Sequence, residues 1–270
     1  STNAVRDGIS PSEREVSESL TKIIESAEGR VGITTFSSNV GRIRSIAQAA
    51  EAAGREVLLL GSSMKRVADV ARDIGLMEGL KPFIAEDEFG YIPRDKVVVI
   101  LTGSQGEPRA ALAKIARDEM RNVAFTAGDT IIFSSRAIPG NEKAINDIKN
   151  GLIEQGIHII TDAEALVHVS GHPRRNELQQ MYGWVRPKMV VPVHGEAVHL
   201  TAHAELAGQS GIAEVPRVRN GDVLKLAPGM PEVVDHAPFG RIFKDGNLIG
   251  DYEEMGTGDR RKLAFVGHVA

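Results

Sequence analysis

Apolar positions along the chain fall into two alternating rhythms. Short apolar runs at 31–36, 57–60, 97–101, 130–133, 157–160 and 189–193 are bounded by Gly, Ser, Thr or Asn and predict buried strands. Between them, apolar residues recur at helical spacing, predicting helices over 41–53, 63–74, 108–117, 141–155 and 175–182. Strand–helix alternation of this kind predicts the α/β class, a parallel sheet flanked by helices. An opening helix is predicted as well, with Ser10 as its cap, Pro11 in its first turn and Glu13 completing a capping box. Val16, Leu20, Ile23 and Ile24 would form its buried stripe.

Four predicted strands run directly into polar loops: Thr35-Phe36-Ser37-Ser38-Asn39, Gly61-Ser62-Ser63, Thr102-Gly103-Ser104-Gln105-Gly106-Glu107 and Ser134-Ser135. Each of these residue types is also an ordinary cap or turn former. Four such loops at the carboxyl ends of parallel strands, where open sheets bind ligands and helix N-termini offer free N–H groups, predict a phosphate-binding rim. After Glu196 the pattern changes. A helix at 197–207 carries His199 and His203, a turn follows at Gly211, and a strand is predicted at 222–226. The Pro- and Gly-rich stretch 227–258 reads as linker or small hairpins, and 263–266 as a strand.

Composition narrows the function classes. With 270 residues, 42% of them hydrophobic, the chain can bury a sizeable core. No apolar run is long enough to span a bilayer and the N-terminus lacks a signal-peptide pattern, so a cytoplasmic location is expected. Cysteine is absent, which leaves any zinc to His, Asp or Glu; eight histidines are present. A net charge of -4 argues against indiscriminate nucleic-acid binding. Local basic pairs remain, at Arg42/Arg44, Lys65/Arg66, Arg174/Arg175, Arg186/Lys188 and Arg217/Arg219, as phosphate contacts or as solvated faces.

Two histidine stretches carry the most chemistry: His168-Val169-Ser170-Gly171-His172 and Val191-Pro192-Val193-His194-Gly195-Glu196. A neutral imidazole is a zinc ligand and an imidazolium a phosphate partner, and both roles serve phosphodiester hydrolysis. Together with Ser1-Thr2-Asn3, the Thr35–Asn39 and Thr102–Glu107 loops and Ile138-Pro139-Gly140-Asn141-Glu142, these stretches resemble the metallo-β-lactamase-fold nucleases that carry a β-CASP insertion, and within them the ribonuclease J family. The interval between His172 and His194 also fits the spacing of that family's last two motifs.

The resemblance implies a zinc-dependent ribonuclease, exo- or endonucleolytic, whose nucleophile is a water or hydroxide between two zinc ions. It implies His194 as a metal ligand and His172 as the catalytic histidine at the scissile phosphate. Ser170 and Gly171 would grip that phosphate. Thr35, Ser37, Ser38, Asn39, Ser104, Gln105, Gly106, Glu107, Ser134, Ser135 and His168 would line the path of RNA with a 5′-monophosphate.

The family's His-x-His-x-Asp-His signature is absent, as is an Asp before Ser1. The expectation is therefore a fragment: 1–185 as the β-CASP RNA-binding domain, 186–226 as the return segment of the metallo-β-lactamase core, and 227–270 as a linker to a further domain. It would be inactive alone, completed by the missing core in cis, with the full-length protein a homo-oligomer. Two alternatives stay open, a DNA-processing β-CASP nuclease and a non-catalytic nucleotide-binding or assembly module. DNA-directed relatives tend to have valine at the position of His194, which favours RNA.

Overall fold

The computed structural model describes residues 1–266. These divide into two compact units: Ser10–Gly171 is one, and Ser1–Ile9 joins the residues from His172 onward to form the other. The division comes before α6 (Arg175–Val185).

The Ser10–Gly171 unit is built on a five-stranded parallel sheet in the order β2-β3-β1-β4-β5, comprising β1 (Val31–Thr34), β2 (Glu56–Leu60), β3 (Val97–Leu101), β4 (Thr130–Phe133) and β5 (His158–Ile160). Successive residues of a strand face opposite sides, so a strand covered on both faces reads as a continuous apolar run. Val31, Ile33, Leu59, Val98, Ile100 and Ile132 face one core, shared with α1 (Glu13–Ser26), α2 (Val40–Ala52) and α3 (Ser62–Asp73). Leu58, Leu60, Val99, Leu101, Ile131 and Phe133 face the other, shared with α4 (Ala111–Ala116) and α5 (Glu142–Glu154). Each fully buried branched side chain contributes about 1.5–3 kcal/mol. Gly32, in the middle of β1, is required by close packing: a Cβ there would sit 2.4 Å from Cδ1 of Ile131 and 2.9 Å from the Phe125 ring.

The cap of α1 is Ser12, not Ser10. Its hydroxyl accepts from the Glu15 amide at 3.2 Å, and the Glu15 carboxylate accepts from the Ser12 amide at 2.7 Å. Glu13 is engaged elsewhere, by Arg42.

In the other unit, residues 1–9 run beside the start of α6: the Arg175 amide donates to the Arg6 carbonyl and the Asn176 amide to that of Gly8. Ala4 is buried with Leu178 of α6 and Leu206 of α7 (Ala197–Gln209) in a small apolar cluster. The predicted strand at 189–193 is not one. Only Met189 forms a bridge, to Glu214, because Pro192 has no N–H to continue a ladder. The stretch from 222 onward forms two hairpins, β6 (Asp222–Lys225) with β7 (Glu232–His236), and β8 (Phe243–Asp245) with β9 (Leu248–Gly250). The strand expected at 263–266 is instead the end of a helix, α8 (Thr257–Val266), whose first turn carries Asp259 where the positive end of the helix dipole favours it. Among the described residues no helix is long and apolar enough to cross a membrane.

Candidate functional site

The first candidate surface is the carboxyl edge of the parallel sheet. β1 lies between β3 and β4, and the chain leaves it toward β2 on one side and later reaches β4 on the other, the arrangement that opens a crevice in such sheets. The ladder continues past the strand ends: the Thr35 amide donates to Leu101 at 3.3 Å, Ser134 to Thr34 at 2.9 Å and Thr102 to Leu60 at 3.1 Å. This pairing sets three polar loops side by side. The hydroxyls of Thr34 and Thr35 are buried and have no hydrogen-bond partner. Orphaned buried polar atoms are rare in folded proteins and call for an explanation such as an absent ligand.

Several predicted rim residues have structural work. Asn39 caps α2 by accepting from the Arg42 amide at 3.1 Å. The amide group of Gln105 donates to the Arg136 carbonyl at 3.0 Å and accepts from the Ile138 amide at 2.8 Å, while Glu107 accepts from the Gln105 backbone at 2.9 Å. Gly106 holds a left-handed backbone with φ of 80°, packed against Ala144. Ser134 donates to the Val167 carbonyl at 2.7 Å. Ser104 and Ser135 are buried, Ser37 and Ser170 are half-buried, and Ser38 and Gly171 are exposed.

Arg42 is not a phosphate contact. Its side chain is fully buried on α2, where it donates to both carboxylate oxygens of Glu13 at 2.9 Å, to Ser134 and to the Val167 carbonyl. Of the other basic pairs, Lys65 binds Glu86 at 2.5 Å and Arg175 binds Asp7 at 3.2 Å. His168 is half-buried, with a buried Nδ1 that has no partner. Burial, and then the charge of Arg42, lower its pKa below that of an ordinary imidazole.

The second cluster lies in the other unit. His172 stacks on His194 with ring centroids 5.1 Å apart and planes 23° from parallel. Burial, followed by the charge of His194, lowers the pKa of His172. His194 is exposed and holds a left-handed backbone, φ 61°, uncommon for a residue with a side chain. Such strained residues concentrate at functional sites. The Ser1-Thr2-Asn3 motif holds this histidine loop: the Ser1 hydroxyl donates to the Pro173 carbonyl and the Asn3 side chain to that of His172, both at 2.7 Å. The role of that motif is not legible in the sequence, because a bond between residues so far apart leaves no local pattern. The same holds for His203 Nε2 and the Tyr182 hydroxyl, 2.6 Å apart, which sit on two separate predicted helices.

Zinc takes three or four nitrogen, oxygen or sulfur ligands. Among the described residues no group of three or more His, Cys, Asp or Glu stands close enough to hold a metal ion. The stacked pair offers two imidazoles at most, so these residues do not by themselves fit a zinc centre.

Two family models match the chain, "Ribonuclease J, beta-CASP domain" over residues 28–152 and "Zn-dependent metallo-hydrolase RNA specificity domain" over 156–215. Ribonuclease J of Sinorhizobium meliloti is 83% identical over all 270 residues, which cover 48% of that protein. Ribonuclease J of Mycolicibacterium smegmatis is 41% identical over 98% of the chain and 48% of its own length, and Ribonuclease J2 of Bacillus subtilis 33% over 99% and 48%. The chain spans about half the length of the curated relatives it matches.

Proposed function

We propose, from its matches to the ribonuclease J β-CASP model at 28–152 and to the RNA specificity model at 156–215, that this chain is the RNA-gripping part of a metal-dependent ribonuclease of the ribonuclease J family. The observation that carries this reading is the carboxyl edge of the sheet, where the Thr34 and Thr35 hydroxyls are buried without a partner beside Ser104 and Ser135. A hydroxyl row of that kind suits phosphate oxygens, which accept hydrogen bonds and need no base identity. The modest number of cations fits a strand threaded along a defined path better than a coating of phosphate contacts.

In this reading Thr35, Ser37, Ser38, Ser104 and Ser135 contact the strand, while Asn39, Gln105, Gly106 and Ser134 hold the loops that present them. A 5′-monophosphate is the preferred end. His172 faces the scissile phosphate as a neutral imidazole able to donate or accept one proton. His194 is one ligand of a zinc centre of two ions, the remaining ligands lying in the half of the relatives' length that this chain does not span. Self-association of the whole protein and a cytoplasmic location belong to the same reading on family resemblance.

The test is fluorescence anisotropy of 5′-phosphorylated and 5′-hydroxyl single-stranded RNA with this chain. Binding should weaken as salt rises from about 50 to about 200 mM, and the phosphorylated strand should bind more tightly. Equal binding of the two ends would remove the 5′-phosphate preference, and no binding at all would remove the RNA path.

A further inference from the structure

A cleft of about 590 Å³ opens at the carboxyl ends of β2 and β3, lined in part by Thr102 and Glu107 of the rim but by none of Thr35, Ser37 and Ser134. That volume is in the range of small-molecule sites, about 300–1,000 Å³. Its lining is mixed in a particular way. Lys65, Arg109 and Lys114 supply cations, while Leu60, Ala111 and Met120 supply an apolar wall. Two carboxylates, Glu86 and Glu107, also line it, and both are engaged: Glu86 by Lys65 at 2.5 Å, Glu107 by the Gln105 amide at 2.9 Å. Arg109 and Lys114 are exposed and make no ion pair among the described residues; against them stands the carboxylate of Glu107, so three cations and two carboxylates leave the lining with one net positive charge.

The backbone adds to this. Ser62 and Ser63, in the first turn of α3, line the cleft, and the cap residue Gly61 offers no side chain to their amides. Gly61 holds φ of 112°, and a Cβ there would lie 2.4 Å from the Thr102 hydroxyl oxygen. Glycine therefore keeps the floor of the cleft close and open. Cations and free helix amides suit an anion, and the apolar wall beside them suits a base.

We propose that this cleft binds the phosphate of a nucleotide, held by Arg109, Lys114 and the first turn of α3, with the base against Met120. The nucleotide is either a unit of an RNA strand extending beyond the rim or a free mononucleotide. The strand source rests on the function proposed above; the mononucleotide source does not.

The test compares the wild-type chain with Arg109→Ala/Lys114→Ala and with Arg14→Ala/Lys22→Ala, which removes the same charge from exposed positions of α1. Calorimetry reads adenosine 5′-monophosphate, and anisotropy over a salt series reads a single-stranded RNA of about twelve nucleotides. If the cleft holds a strand, the cleft variant loses about tenfold in RNA affinity and its salt slope falls by about 1.4, while AMP is unaffected. If it holds a free nucleotide, AMP binding is lost and RNA binding is kept. Binding of both ligands as tight as in the control variant overturns the proposal, and so does a wild-type chain that binds neither. A wild-type chain that binds AMP but not RNA sinks the RNA reading and leaves the cleft standing. Arg109→Gln/Lys114→Gln, which retains the stems, replaces the alanine pair if that pair melts early.

Discussion

The side-chain amide of Asn3 donates to the backbone carbonyl of His172 across 2.7 Å. Asn3 is buried, and its backbone amide donates only locally, to the Ser1 hydroxyl at 3.1 Å, so the longer-range bond is made by its side chain, which serves the histidine loop. Asn3→Ala leaves that carbonyl unsatisfied and should destabilise the unit by about 1–2 kcal/mol. The readout that separates positioning from general instability is NMR. The His172 and His194 ring signals should move, while amides of β1 to β4 keep their shifts. Unmoved ring signals would deny the residue this role.

Arg42 tests whether a buried guanidinium can be replaced by the other long cation. Its fork engages Glu13 through both oxygens and two further acceptors through the remaining nitrogen, a geometry that an ammonium cannot reproduce. Arg42→Lys should cost about 2–3 kcal/mol in urea denaturation. Glu13 is half-exposed and regains water, which keeps the loss below that of a wholly buried pair. A change under about 0.5 kcal/mol, usual for surface substitutions, would contradict the assigned role.

Thr34 and Thr35 give the opposite sign. Removing a buried hydroxyl that has no partner, with little change of shape, should leave the protein as stable or up to about 1 kcal/mol more so. Thr35→Val should nonetheless weaken RNA binding several-fold, a trade of stability against function. If Thr35→Val destabilises the fold, its hydroxyl has a partner in solution and the orphan argument collapses.

Stability should also depend on acid in both units. Burial lowers the pKa of His168 in one and of His203 in the other. A lowered histidine pKa means that the folded state prefers the neutral ring. The stability it contributes is present above the unfolded value of about 6.5 and is lost as pH falls below it toward the folded value. Melting temperature should therefore drop between about pH 7 and pH 5, and His168→Gln and His203→Gln should each flatten that drop. Tyr182, raised by burial, acts at the other end: its contribution is present below about pH 10 and lost as pH rises above it.

The parallel sheet was legible because strands buried on both faces are written as unbroken apolar runs; 97–101 and 130–133 appear in the sequence with the bounds of β3 and β4. Where a residue's fate depended on a distant partner, local pattern misled. Ser10 with Glu13 and Ser12 with Glu15 are equally good capping boxes, and the choice falls to the second because Arg42 takes Glu13. The apolar run at 263–266 is too short for its period to tell strand from helix. The rim residues and the two histidines could be named from their motifs. The ring stack, the Asn3 bond and the unpaired cations of the β2–β3 cleft come only from contacts between remote segments.

Asn3 and His172 belong to one compact unit, yet the whole of Ser10–Gly171 lies between them in the chain. During synthesis the sheet unit is contiguous and can fold as soon as it emerges, whereas the bonds that Arg6 and Gly8 make to the start of α6 form only once α6 has been made. Folding the intervening unit also draws its own ends into a compact body, which relieves the closure entropy that the Asn3–His172 contact would otherwise face. The Asn3-held histidine pair is thus assembled after the sheet unit has been made, and substitutions that slow the sheet should delay it without touching it.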